Sequence, residues 1–106
     1  MEYMNIVRMR VKDGKLPELR ERMMKNMQAA GGPPPGLVAM RHVQIEENAL
    51  CVVGLWESEE AFAAMRSNLV KNLDTFRDLL IPYREGCGDT DPVSGKVVFD
   101  STKMGG

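Results

Sequence analysis

Asn5 stands in YMNIVRMRV (residues 3–11), where the alternate positions Tyr3, Val7, Met9 and Val11 are otherwise apolar or aromatic. An amide on a buried strand face is costly unless its donors and acceptors are met. Neighbouring backbone at a strand edge would meet them. The other reading is a polar hook in an apolar pocket, the mixture that small-molecule sites use. The one tryptophan, Trp56, lies in VVGLWESEEAFAAM (52–65), two residues before a serine that reads as a helix cap. An indole there is core filler or the wall of a pocket, and its ring N–H needs an acceptor if buried. Together an amide that holds an oxygen and an indole that stacks on a ring would orient an aromatic small molecule.

Other groups carry less. His42 is the single histidine; it is a general base working near neutral pH, with a place among the substrate-binding residues, or a hydrogen-bonded structural residue. Arg41 and Arg66 pair with acids, meet an anionic ligand, or belong to a solvated face. Cys51 has no identifiable base to make it a nucleophile. Cys51 and Cys87 form no CxxC pair and read as free thiols in a reducing cytoplasm. One histidine and two scattered cysteines build no metal site of known spacing, so no metal and no cofactor is expected. The 9 methionines are flexible core filler or an adaptable pocket lining.

These residues are positioned by a short series of elements. Residues 3–11 alternate as a strand with Tyr3, Asn5, Val7, Met9 and Val11 on one face. KDG (12–14) is a turn, and residues 15–30 place Leu16, Leu19, Met23, Met27 and Ala30 at helical spacing. Pro17 fits only the first turn, and GGPPPG (31–36) ends the helix as a rigid connector. Residues 37–58 read as a hairpin turning at EENA (46–49). Ser58 caps a second helix, with Glu59 and Glu60 at its positive end. Its stripe of Phe62, Met65, Leu69, Leu73, Phe76 and Leu80 runs to Pro82, as one helix or as two divided near KNLD (71–74). Residues 84–95 read as a loop, KVVFDST (96–102) as a last strand, and KMGG (103–106) as a frayed end.

Strand, helix, strand, strand, helix, strand is the split βαβ order. It predicts a single α+β, ferredoxin-like domain over residues 1–106, with a four-stranded antiparallel sheet and both helices on one face. Strands one and three are then antiparallel neighbours, so Asn5 and Trp56 face one pocket walled by Phe62, Met65, Leu69 and Phe76. The other face carries Met4 and Ile6 and has no segment left to cover it, which predicts a homodimer. A net charge of −1 argues against a nucleic-acid partner. No apolar run approaches a bilayer span, and the alternating, charged start is not a signal peptide, so a cytoplasmic protein without a membrane partner is expected.

The element order, KDGKLPEL at the start of helix one and LWESEEAF at the end of strand three resemble the antibiotic biosynthesis monooxygenase-like domains of the dimeric α/β-barrel superfamily. The resemblance covers roughly residues 3 to 102. It implies dimers packed sheet to sheet, with a pocket between each sheet and its helices. Some members oxidise polycyclic phenols with molecular oxygen and neither metal nor flavin; others degrade haem, are isomerases, or have no known activity. It also implies pocket roles for Asn5 and Trp56, the positions matching an Asn and a Trp that often line the site. Two departures stand out. Haem-degrading members place a His on the helix after the Trp, and no His lies between Glu59 and Ile81, so haem degradation is not expected. Some phenol-oxidising members place a Tyr there, where this chain has Phe62 and Met65. The function expected is a cofactor-independent monooxygenase, or related enzyme, acting on an apolar or aromatic small molecule. The alternative is a non-catalytic dimeric ligand-binding or stress-related module.

Overall fold

A computed structural model describes residues 1–103. Strand β1 (Tyr3–Val11) forms where alternation directs it. Asn5, Met9 and Val11 are buried on the inward face, while Arg8 is exposed on the outward one. Helix α1 (Leu16–Ala29) starts with Pro in its first turn and buries Leu16 and Leu19. Strands β2 (Leu37–Glu46) and β3 (Ala49–Trp56) form the expected hairpin. Helix α2 (Glu59–Asp74) is capped by Ser58, whose hydroxyl accepts the Ala61 N–H at 3.1 Å.

The stripe beyond α2 resolves into neither one long helix nor two. Thr75 donates its hydroxyl to the Asn72 carbonyl at 2.6 Å. Arg22 on α1 donates to the Thr75 carbonyl at 3.1 Å and to Asp78 at 2.7 Å. These contacts draw the chain toward α1, where it forms one turn of 3-10 helix (Arg77–Leu79) and a short strand, β4 (Leu80–Ile81). Phe76, Leu79 and Leu80 enter the core from this non-helical segment.

The last long strand also departs from expectation. Strand β5 spans Thr90–Lys96, all but its last residue inside the segment read as a loop. Pro92 and Gly95 weigh against a strand here, but among the described residues β5 pairs only with β1. An edge strand tolerates a proline because one row of its backbone groups needs no ladder partner. Residues 97–100, expected in the strand, lie beyond it, with Val98 85% and Phe99 65% exposed. Of the end expected to fray, residues 104–106 lie outside the described residues.

The sheet is antiparallel throughout, in the order β2-β3-β1, with β4 and β5 end to end along the far edge of β1. Five strands thus fill the four positions of a ferredoxin-like sheet. The core gathers Met9 and Val11 of β1, Leu50 and Val52 of β3, and Leu16 and Leu19 of α1, closed by Phe76, Leu79 and Leu80. Helix α2 has no fully buried residue, and Met65, Leu69 and Leu73 on it are only half-buried.

The asymmetry between the helices has a measurable consequence. Leu19 is 0% exposed, so Leu19→Ala removes packed methyl groups and leaves a cavity, costing about 2–5 kcal/mol. Met27, on the same helix but 53% exposed, should lose about 0.5 kcal/mol or less as Met27→Ala. Urea denaturation of both variants checks the contrast.

Candidate functional site

The strand register brings Asn5 and Trp56 together. Tyr3 pairs with Trp56 and Asn5 with Gly54, all on the inward face. The indole therefore lies one diagonal step from Asn5, and its Nε1–H donates to Asn5 Oδ1 at 2.7 Å. Both residues are buried, Trp56 to 0% exposure and Asn5 to 7%. An indole N–H only donates, so it fixes which side of the amide carries the oxygen. The amide Nδ2 is then turned the other way. It makes no hydrogen bond among the described residues, and no unpartnered side-chain nitrogen is sealed from solvent. The NH2 group therefore opens onto a cleft.

Gly54 makes this bond possible. A Cβ there would stand 2.3 Å from Asn5 Oδ1 and 3.1 Å from Trp56 Nε1. Nothing in the composition drew attention to this glycine. The available signal was its place two residues before the tryptophan, on the same strand face and opposite the asparagine.

The cleft encloses about 500 Å³ between β1, α2 and β5. Tyr3, Asn5 and Val7 form its floor, Glu59, Phe62 and Arg66 one wall, and Pro92 and Ser94 the other. Phe62 ties floor to wall: its ring lies 5.4 Å from Tyr3 and 5.6 Å from Trp56, edge-on to the indole. The Tyr3 hydroxyl and Ser94 Oγ share a hydrogen bond at 2.9 Å across the β1–β5 seam. Pro92 and Ser94 lie in a segment whose sequence reads as a loop, so pattern alone does not bring them to the cleft; Tyr3 and Glu59 read only as strand and cap.

The remaining expected site residues are dispersed. Trp56 is sealed behind the cleft, so in this conformation it touches Asn5 and offers no face for a ligand to stack on. Met65 and Leu69 are half-buried on α2 but do not line the cleft. Phe76 belongs to the core at the far end of the molecule's packing, among Leu79 and Leu80. His42 lies on β2 opposite Val52, on the sheet's inward face near Arg20 of α1, where it is exposed and away from the cleft. Partial burial, then the positive charge of Arg20, push its pKa down. Cys51 and Cys87 are both free. Among the described residues no group of three or more His, Cys, Asp or Glu side chains is arranged to hold a metal ion. A second hollow of about 460 Å³ lies by Arg10, Asp13, Glu46 and Asn48. Its polar groups satisfy one another, Arg10 with Glu46 and Asn48 with Asp13, which leaves little to recognise a ligand.

The lock between Gly54, Asn5 and Trp56 is testable by one methyl group. Gly54→Ala should displace the Asn5 amide, leave the indole N–H without its acceptor, and cost about 1–3 kcal/mol. Chemical denaturation reads the cost, and the tryptophan emission spectrum reads the changed surroundings of the indole.

No protein-family model matches this sequence. No curated protein sequence matches it either. Solved structures do. A protein from Nitrosomonas europaea assigned as an antibiotic biosynthesis monooxygenase superposes with a TM-score of 0.72 at 17% identity, over 92% of this chain and 91% of that one. A cofactor-independent oxygenase from Streptomyces nogalater gives 0.71 at 13% identity, over 93% and 95%. A heme-degrading protein from Mycobacterium tuberculosis gives 0.58 at 27% identity, over 94% of each chain. The element order, the strand register and these superpositions agree that this chain has the antibiotic biosynthesis monooxygenase-like, ferredoxin-like fold.

Proposed function

We propose that the cleft binds an apolar or aromatic molecule and that the chain is a cofactor-independent monooxygenase acting on it. The observation that carries this reading is the Asn5 amide, fixed by a buried indole so that its NH2 faces the cleft. A fixed donor in an apolar surround stabilises charge on an oxygen with little reorganisation. The matching substrate is a phenol or enol whose anion is electron-rich enough to reduce molecular oxygen itself. Nδ2 donates to the anionic oxygen while Phe62, Tyr3 and Val7 contact the ring. For a ring methylene the balance is CH2 plus O2 giving C=O plus H2O. The substrate supplies the electrons; one oxygen atom ends on carbon and the other leaves as water. Trp56 takes no part in these bonds and acts as a positioning residue.

The residues do not suit haem degradation. The single histidine, His42, stands outside the cleft, and helix α2 (Glu59–Asp74) carries none. The cleft therefore offers no imidazole to iron, and no step is assigned to haem. A second reading, a non-catalytic ligand-binding module, is favoured by one observation: the lining contains no histidine or cysteine to move protons near neutral pH. Oxygen uptake separates the two readings, since a binding module takes up ligand without consuming oxygen.

The test is oxygen consumption with polycyclic phenols, comparing the wild type with Asn5→Asp. Aspartate still accepts from the indole but donates nothing to the cleft. Turnover should fall by about 10²-fold while the tryptophan stays buried. Full activity in this variant would show that the amide is not the electrophilic group.

The outward face of the sheet supports a homodimer. Met4 and Ile6 on β1 and Val53 and Leu55 on β3 lie together there, only half-buried. Val43 and Val93 beside them are 44% and 57% exposed. A second copy of the same face is the simplest cover for such a patch. Ile6→Glu should shift sedimentation equilibrium at micromolar concentration from dimer toward monomer; a wild type that is monomeric there would remove the proposal.

A further inference from the structure

We propose that the molecule bound in the cleft is an aromatic carboxylate, with Arg66 as the anchor of its carboxylate and Asn5 as the donor to its phenolic or carbonyl oxygen. The proposal rests on the reading above that the cleft is a ligand site, and it adds the substrate's charge.

The arginines divide into two groups. Arg8, Arg10, Arg22, Arg77 and Arg84 each pair with a carboxylate of the same chain. Among the described residues Arg20, Arg41 and Arg66 make no ion pair, and of these only Arg66 lines the cleft. Its guanidinium is a planar fork of donors suited to carboxylate oxygens. Glu59 lies in the same wall but seven residues earlier, about 10 Å along the helix axis, and forms no ion pair with Arg66. It sits in the first turn of α2, where the helix dipole favours a negative charge.

The spacing suits a flat ligand of two fused rings. Arg66 stands one helical turn, about 6 Å, beyond Phe62. Asn5 stands two residues, about 7 Å, beyond Tyr3 on β1. Tyr3 and Phe62 are in ring contact at 5.4 Å, so a ring resting on them brings one edge toward Asn5 and another toward Arg66. Both polar groups are pure donors in this arrangement, which selects a ligand with two acceptor oxygens and at least one negative charge. A neutral phenol satisfies Asn5 alone.

The experiment compares 3-hydroxy-2-naphthoate with 2-naphthol by calorimetric titration of the full chain. The wild type should bind the carboxylate about two- to fivefold more tightly, the scale of an exposed ion pair, and the preference should shrink as salt is raised. Arg66→Gln should abolish the preference by weakening 3-hydroxy-2-naphthoate binding. Arg20→Gln, which removes an equally unpaired charge on α1, should keep it. Equal affinities in the wild type, or a preference that survives Arg66→Gln, overturn the assignment while the cleft remains a ligand site. Failure of both compounds to bind any variant removes the cleft reading and this inference together.

Discussion

The buried indole N–H of Trp56 is the constraint on which the site depends. It has no acceptor capacity and, at 0% exposure, no access to water. A donor left unpaired there would cost about 1–3 kcal/mol. Asn5 Oδ1 satisfies it at 2.7 Å, and the rest follows from that bond. The facing residue must lack a Cβ, hence Gly54. The amide can take only one of its two orientations, so its NH2 points at the cleft. What looks like an expensive amide in an apolar strand is half of a satisfied pair, with its second half facing the cleft.

The two helices pack on the sheet differently. Helix α1 seals Leu16 and Leu19 against the sheet and anchors the core. Helix α2 touches the sheet mainly through Phe62 and leaves space beside it. Its ends are secured by the Ser58 cap at one and the Thr75 bond to Asn72 at the other, and Leu73 packs against the core. A helix secured at its ends need not bury a full apolar face, and the unfilled volume becomes the cleft. The same economy explains why its half-exposed Met65 and Leu69 neither close the core nor line the site.

Much of this was legible in the sequence. Alternation in residues 3–11 placed Asn5 inward, and the split βαβ order made β1 and β3 neighbours, so the meeting of Asn5 with Trp56 followed from pattern alone. The depth of the tryptophan did not, because periodicity assigns a face without assigning what lies above it. The aromatic beside the cleft is Phe62, with the indole behind it. The last strand was misplaced because Pro92 and Gly95 weigh against a strand in isolation; only the free edge of β1 accommodates them. Phe76 and Leu80 kept helical spacing by coincidence, since the backbone leaves the helix after Asp74 once Arg22 captures Thr75 and Asp78. His42 failed as a site residue for a topological reason: it lies on β2, and β3 separates that strand from the β1 floor of the cleft.

The wall formed by β5 is held from the opposite face of the sheet. Asp91, beside Pro92, accepts from Arg8 at 2.5 Å and from Arg84 at 3.1 Å. Arg8 and Arg10 in turn stack on the Tyr83 ring, each 5.0 Å from its centre. Hydrogen bonds from Arg84 and then Arg8 hold the Asp91 carboxyl below the usual aspartate range. A carboxylate lowered in the folded state contributes stability that is present above its unfolded pKa and lost only as pH falls through the folded one. The attachment is therefore intact at neutral pH. Strand alternation makes the arrangement possible: Asp91 faces outward to the arginines, so Pro92 and Ser94 face inward to the cleft. Asp91 on the outward side thus adds side-chain bonds to the β1–β5 ladder that positions Pro92 and Ser94 on the inward side, and it does so without placing a competing negative charge near Asn5 or Arg66.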